Sequence, residues 1–288
     1  MKEIKPHLSY QKQIEKLRSR RCTIHDEEFC KWVLINTNYY RLSAYFLPFL
    51  HNEMYEENTE FEKIFHLYEF DRKLRGLLFA SIEIIEVSFR AKIAYFHSSK
   101  YGPLGYLDPK TFNNHHNKQK FDETINREIE NNKKVLFVRH YIENYDGQFP
   151  LWVISELFSF GTLSRFYNDL TTADKKEFVR LYYNTEGTNY KNMESWLRCC
   201  TDLRNICAHY GRLYYRVFTA VPAGFNIRES QKHRLWGAIL TIKELFPFAE
   251  DWNTVFLEQL KNLFIHYKDD ISLYHLAFPK DWLEQLKK

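Results

Sequence analysis

Residues 61–96 constrain the fold more than any other stretch, because they contain no proline and only one glycine, Gly76. Apolar residues recur there mostly at steps of three or four: Phe61, Ile64, Phe65, Tyr68, Leu74, Leu78, Ile82, Ile85, Phe89, Ile93 and Phe96. This spacing places one apolar stripe along a long helix. At about 1.5 Å per residue, such a helix spans roughly 50 Å. The pattern predicts the spine of a helical bundle, with a kink near Gly76.

Helical periodicity also dominates the rest of the chain, and no run with a period of two is long enough to indicate a sheet. Further helices are predicted over residues 9–20, 27–35, 151–160, 174–183, 193–216, 229–246 and 251–267. The polar residues 113–134 are predicted to be a mobile insert or an exposed helix. The expected fold class is all-α. An N-terminal segment (1–58), a core (59–220) and a C-terminal segment (221–288) are expected to form one compact domain.

Composition excludes a disordered chain, because 44% of the 288 residues are hydrophobic and only 9 are glycine and 8 proline. No apolar run approaches the ~18–20 residues that a membrane helix needs, and residues 1–10 hold no apolar signal core. We therefore expect a soluble, cytoplasmic protein with no membrane partner. Five cysteines, an odd number, suit a reducing compartment. The spacing of Cys22, His25 and Cys30 fits no standard zinc pattern, so we expect no metal site and no cofactor.

The residues best suited to chemistry lie within the predicted helix 193–216, in the run Arg204-Asn-Ile-Cys-Ala-His209. At about 100° per residue, Asn205 and His209 share a face of that helix. Arg212 is predicted on the same stripe, and Arg204 about 100° to one side. One helix would thus present a cation, an amide and an imidazole around a single edge.

These residue types suit the cleavage of RNA without a metal. A histidine can serve as base or acid near neutral pH, and an arginine can hold phosphate oxygens through two hydrogen bonds. One histidine cannot easily be base and acid in the same step, so two copies across a two-fold axis would divide these roles. The chemistry therefore predicts a homodimer with a composite site. The alternative is that His209 and Arg204 only make structural hydrogen bonds within a bundle.

Blocks spread over nearly the whole chain carry a resemblance to a known family. They are Asn38-Tyr-Tyr-Arg-Leu-Ser-Ala-Tyr45; Leu67-Tyr-Glu-Phe-Asp-Arg-Lys-Leu-Arg75 followed by Ser81-Ile-Glu-Ile-Ile-Glu-Val-Ser-Phe-Arg90; Tyr101-Gly-Pro and Tyr106-Leu-Asp; Pro150-Leu-Trp and Glu156-Leu-Phe-Ser-Phe-Gly-Thr-Leu-Ser164; Leu203-Arg-Asn-Ile-Cys-Ala-His-Tyr-Gly-Arg-Leu213; and Ala277-Phe-Pro-Lys-Asp-Trp282. In these blocks and their order, the sequence resembles the Abi-like (AbiD/AbiF type) abortive-infection proteins, a branch of the HEPN superfamily.

The resemblance implies a HEPN-type helical bundle with extra N- and C-terminal helices, which commonly dimerises. It implies that Arg204, Asn205 and His209 form the R-x4-H site of a metal-independent endoribonuclease. It further implies a toxin of bacterial anti-phage defence that acts on cellular or phage RNA, with an antitoxin or a small non-coding RNA as partner of some members. The family often has a second histidine directly after the motif histidine, whereas this chain has Tyr210. This departure argues against two adjacent histidines working within one chain and favours the dimeric site.

Other residues are expected to support the motif. Arg212 and Arg216 would hold the RNA, and Tyr210 would stack on a base. Arg72 and Arg75 either bind the RNA backbone or are simply solvated. Glu86 and Arg90 lie four residues apart on the long helix. They form either an ordinary helical ion pair or a pair in which Glu86 orients Arg90 or His209; a structural or supporting role is favoured.

Other functions also fit the sequence. The chain could be an RNA-binding module that holds a structured non-coding RNA, with the nuclease motif inactive or silenced. It could instead be a structural or partner-binding bundle, such as a sensor component. A third alternative is an RNA-targeting partner of a nucleotidyltransferase.

Overall fold

The computed structural model describes residues 4, 6–183 and 189–288. Its helices are α1 (Tyr10–Ser19), α2 (Glu27–Thr37), α3 (Tyr39–Phe46), α4 (Phe61–Tyr101), α5 (Lys118–Asn132), α6 (Leu136–Asn144), α7 (Leu151–Ile154), α8 (Phe160–Asp169), α9 (Thr172–Tyr182), α10 (Tyr190–Ala208), α11 (Glu229–Lys232), α12 (Leu235–Leu245), α13 (Ala249–Asp251), α14 (Leu257–His266) and α15 (Trp282–Leu286). A π-helical turn, Trp252–Phe256, joins α13 to α14. The predicted all-α class is confirmed.

The predicted spine is α4, a helix of 41 residues. It is continuous through Gly76, where the sequence predicted a kink. The helix ends at Gly102, which takes a left-handed backbone conformation (φ +79) and whose N–H donates to the Ser98 carbonyl. The apolar stripe of α4 is buried along most of the helix, with Leu74 and Leu78 fully inaccessible.

The core is built around α4 and α10. α10 packs against α4, α8 and α12, and α4 also contacts α3, α9 and α14. One hydrophobic cluster includes side chains from the N-terminal, central and C-terminal parts of the chain, among them Leu17, Leu78 and Trp236. This packing places the end of α10 between the middle of α4 and the N-terminal helix α3.

Among the described residues, the sheet is a single antiparallel hairpin, β1 (Leu50–His51) and β2 (Met54–Tyr55). Asn52 and Glu53 at its turn both have positive φ (48° and 66°), as a type I′ turn requires. Strands of two residues are too short to produce an alternating pattern, which is why the sequence did not reveal them.

Three predicted regions differ in detail from the structure. The helix predicted over 151–160 is divided into α7, a 3-10 turn at Ser155–Leu157 and the first residue of α8. Residues 113–134 contain the exposed helix α5, one of the two predicted alternatives. The single helix predicted over 229–246 is divided into α11 and α12. The turn between them is held by Phe218, whose N–H donates to the His233 carbonyl and whose carbonyl contacts Nδ1 of His233. Hydrogen bonds to Phe218, which is distant in the sequence, therefore divide a stretch whose apolar pattern is that of one continuous helix.

All five cysteines are buried and free: Cys22, Cys30, Cys199, Cys200 and Cys207. Burial raises the pKa of each thiol, to about 12 for Cys22, Cys30, Cys200 and Cys207. Within the described part of the chain, no three His, Cys, Asp or Glu side chains are grouped so that they could hold a metal ion. No helix in that part has both the length and the apolar character needed to span a membrane.

Candidate active site

The helix that carries the motif is shorter than the sequence predicted. α10 ends at Ala208, His209 is its C-cap, and residues 210–216 leave the helical path. The prediction of a helix over 193–216 is therefore wrong at its C-terminal end. Arg212 consequently does not share a helical stripe with Asn205.

The end of α10 is a Schellman cap. The N–H of Tyr210 donates to the Cys207 carbonyl (3.1 Å), and the N–H of Gly211 donates to the Ile206 carbonyl (2.8 Å). Tyr210 takes the left-handed conformation (φ +58) that glycine usually takes at this position. A Cβ at Gly211 would lie 3.2 Å from the Ile206 carbonyl oxygen, so glycine allows the chain to turn back closely over the helix end.

A buried ion pair on α4 holds the loop that follows. Asp71 accepts hydrogen bonds from the backbone N–H groups of Leu213 (3.0 Å) and Tyr214 (2.9 Å). Arg75 donates to Asp71 (2.7 Å) and to the Gly211 carbonyl (3.2 Å). The side chains of Asp71 and Arg75 are 0% and 5% exposed. These bonds draw the chain away from the axis of α10, which is why the helix stops early.

The position of Arg75 does not support its predicted contact with an RNA backbone, because its guanidinium is buried and already bonded within the protein. The sequence analysis missed Asp71, although a signal was present. Asp71 lies on the apolar stripe of α4, one turn before Arg75, and a carboxylate placed there must be paired. Arg72 is exposed and donates two hydrogen bonds to Glu69, each 2.8 Å. Its contact with RNA stays a prediction.

The motif residues share one edge at the end of α10. Asn205 and His209 are both exposed. Arg204 is partly buried, with its Nε 3.8 Å from Oε2 of Glu86. Its guanidinium carbon lies 5.7 Å from the centre of the Phe79 ring. α4 thus anchors Arg204 and leaves Asn205 and His209 open to solvent.

Glu86 lies between two arginines. Its Oε1 accepts a hydrogen bond from Arg90 (3.0 Å), and its Oε2 faces Arg204. Arg90 also donates to the Phe158 carbonyl (2.9 Å) and is 14% exposed, as is Glu86. The predicted supporting role for Glu86 and Arg90 agrees with these contacts, but Glu86 contacts Arg204 and not His209.

The two arginines expected to hold RNA are partly engaged within the protein. The guanidinium of Arg212 donates to the Ala44 carbonyl and lies 5.9 Å from the centre of the Tyr215 ring. The guanidinium of Arg216 lies 5.9 Å from the centre of the Phe218 ring. Both side chains keep part of their surface accessible, and their contacts with RNA stay predictions.

Arg41 is a residue of this region that the sequence analysis did not single out, although it lies within the block 38–45. It donates to the Tyr210 carbonyl (3.1 Å), and its guanidinium carbon lies 5.8 Å from the centre of the Tyr210 ring. Tyr210 itself is 67% exposed. A cavity of about 340 Å³ beside it is lined by Arg72, Arg75, Gly76, Phe79, Cys207, Ala208 and Tyr210. The motif therefore borders a concave surface with cationic and aromatic walls.

Comparison with known proteins agrees with the resemblance in the sequence. The profile of a family described as Abi-like protein matches residues 32–215, which is more than half of the chain and includes the motif. No curated protein and no solved structure matches the chain. The extent of the profile match shows that the chain belongs to the Abi-like protein family.

Proposed function

We propose that this protein is a metal-independent endoribonuclease that acts as a toxin in anti-phage defence. The observation that carries the proposal is the grouping of Arg204, Asn205 and His209 at the end of α10, with Asn205 and His209 exposed and Arg204 partly buried against α4. Membership of the Abi-like family supports the defence role, since abortive infection is the response that gives the family its name. The HEPN type of bundle is part of the same proposal.

The reaction is an attack of the ribose 2′-hydroxyl on the neighbouring phosphorus. His209 removes the hydroxyl proton as the 2′-O–P bond forms and the P–O5′ bond breaks. Arg204 stabilises the extra negative charge of the phosphorane, and Asn205 orients the phosphate or the imidazole. A second acid protonates the leaving 5′-oxygen. The products carry a 2′,3′-cyclic phosphate and a 5′-hydroxyl.

We propose that a second copy of the chain supplies that acid, its own His209, across a two-fold axis. The outer face of α4 beside the motif supports this arrangement. Phe79 and Ile84 are each 36% exposed and Val87 is 57% exposed. With the exposed Glu83 between Phe79 and Val87, they form an outer, mostly apolar stripe that begins under Arg204, since Phe79 lies beneath its guanidinium. A two-fold contact along this stripe would cover apolar surface and bring two motif edges towards each other.

The test is cleavage of total RNA by purified protein in EDTA, with wild type, His209→Ala and Arg204→Ala compared. His266→Ala is the control, because His266 is exposed on α14, outside the proposed site. We expect cleavage by wild type and His266→Ala that leaves cyclic phosphates. A loss of about 10³-fold or more is expected in His209→Ala, since acid–base catalysis contributes ~10²–10⁴-fold per group.

Cleavage that persists in His209→Ala would contradict the proposal. The same holds if none of the proteins cleaves RNA while each retains a tightly bound RNA after purification. That second result would favour a module that binds a structured non-coding RNA with a silent motif.

A further inference from the structure

A second concave surface lies between α5 and α8. It is a cavity of about 170 Å³, and its lining includes Lys120, Phe121 and Thr124 from α5 and Thr162, Arg165 and Phe166 from α8. These positions recur at steps of three and four on each helix, so one face of each helix forms a wall.

The two cations of this cavity, Lys120 on α5 and Arg165 on α8, differ from three cations on α5 and at its C-terminal end that form ion pairs. Lys118 forms an ion pair with Asp122, Arg127 with Glu128, and Lys133 with Glu130. Lys120 and Arg165 are exposed and form no ion pair with any carboxylate of the described residues. The acidic residue in the lining, Asp169, instead faces Nδ1 of His116 at 2.9 Å. The cavity lining therefore carries two positive charges, on Lys120 and Arg165, against one carboxylate, Asp169.

The floor of the cavity is aromatic. Phe121 is half-buried, and its ring lies 6.0 Å from that of Phe166, which is almost fully buried. Phe121 also contacts the rings of Phe112 and Phe158. A ring held on several sides in this way presents a fixed surface to the cavity. A fixed phenyl ring beside two free cations matches a ligand that has a planar base and a phosphate.

One wall of the cavity, α8, packs against the helix that carries the motif. A Cβ at Gly161, in the first turn of α8, would lie 3.5 Å from Cγ2 of Thr201 on α10. Thr201 lies one helical turn before Asn205, on the same face. The cavity follows α8 from Thr162 to Asp169, a length of roughly 10 Å. α8 therefore connects the cavity to the helix that carries the motif.

We propose that the cavity between α5 and α8 binds one nucleotide of the RNA substrate, outside the centre at Arg204 and His209. Lys120 and Arg165 contact its phosphate, and Phe121 stacks against its base. This inference rests on the proposed function, since it names a second contact of the same substrate.

The test measures the affinity of a short, labelled single-stranded RNA for full-length protein carrying His209→Ala, which prevents turnover. Lys120→Ala/Arg165→Ala is compared with Arg127→Ala/Lys134→Ala, which removes the same charge from exposed positions outside the cavity lining. Loss of both contacts with that one phosphate should raise the Kd about ten-fold or more, and should lower the slope of log K against log salt by about 0.7. The comparison variant should change the Kd less than about two-fold, as expected if its cations make no close phosphate contact.

Photocrosslinking provides a second readout. An RNA containing 4-thiouridine should crosslink to Phe121 or an adjacent residue, and Phe121→Leu should weaken binding while leaving both cations in place.

Equal affinities of the two double variants would overturn the inference. It would also be overturned if AMP or inorganic phosphate bound the cavity as tightly as the RNA, because the cavity would then be a small-anion site. Failure of the nuclease proposal is recognised separately. In that case wild type would not cleave RNA, although Lys120→Ala/Arg165→Ala would still lose affinity for it.

Discussion

Asp71 connects three parts of the molecule through one carboxylate. It accepts hydrogen bonds from the Tyr45 hydroxyl of α3 (2.8 Å), from Arg75 of its own helix, and from two backbone N–H groups of the loop after the motif. Because that loop follows His209 directly, Asp71 contributes to the position of the imidazole without touching it. Asp71 is therefore a positioning residue for the proposed reaction.

We predict that Asp71→Asn lowers the free energy of unfolding by about 3–5 kcal/mol, because it leaves Arg75 buried beside a neutral group. Glu69→Gln is the matched control. It makes the same change in a carboxylate that bonds the exposed Arg72, and such a pair contributes about 0–1 kcal/mol. Urea unfolding of the two variants and wild type measures the difference. Similar losses in both variants would contradict a special role for the buried pair.

The placement of the motif residues on α10 was easier to predict from the sequence than the contacts of the residues around them. Asn205 and His209 lie on one exposed face because four-residue spacing is a local property of a helix, and Arg204 lies about 100° to one side of Asn205. The burial of Arg75 was not predictable from its neighbours in the chain, since it depends on Asp71, Tyr45 and the Gly211 carbonyl meeting from distant segments. The same reasoning applies to Arg41, whose partner Tyr210 is far away in the sequence.

At the scale of elements, the end of α10 is unusual because a tyrosine occupies the left-handed position of the cap. The left-handed region costs an ordinary L residue roughly 1–2 kcal/mol. The hydrogen bond from Arg41 to the Tyr210 carbonyl helps to hold this conformation. Tyr210 nevertheless stays 67% exposed at the edge of the motif.

We predict that Tyr210→Gly is more stable than Tyr210→Ala by about 1 kcal/mol, because only glycine avoids the cost of the left-handed conformation. Both variants lack the ring, so both should bind single-stranded RNA more weakly than wild type, and to the same extent. Loss of a stacked base is worth about 1–3 kcal/mol. Thermal unfolding and RNA binding measure the two effects separately. An RNA affinity equal to that of wild type in both variants would exclude stacking by Tyr210.

The helices were predictable to different degrees. α4 was predicted almost to its ends because its periodicity and the lack of prolines are local signals. The end of α10 and the division between α11 and α12 were not, because hydrogen bonds to Asp71 and Phe218 interrupt stretches that remain helical in pattern. Long-range hydrogen bonds therefore account for the errors in both places.

At the scale of the whole molecule, the exposed, mostly apolar stripe on α4 is the surface through which we propose that two copies meet. We predict that Val87→Glu and Val87→Arg, which are opposite in charge, both shift the protein from dimer to monomer and reduce RNA cleavage. Val255→Glu is the control, since Val255 is similarly exposed (49%) on the π-helical turn of the C-terminal segment. Sedimentation analysis over a range of concentrations measures the mass. A dimer that survives both substitutions at Val87 would place the interface elsewhere, and a monomeric wild type with full activity would contradict the composite site.

The burial of all five cysteines has a practical consequence for spectroscopy. A thiol that is buried and has a raised pKa stays protonated at neutral pH and reacts slowly with maleimides and iodoacetamides. The unaltered chain is therefore a suitable background for site-directed labelling. A single cysteine introduced on the surface of α5 or α4 would be the fast-reacting thiol. Fluorophores or spin labels could then report distances within one copy or between two, without replacing any of the native cysteines.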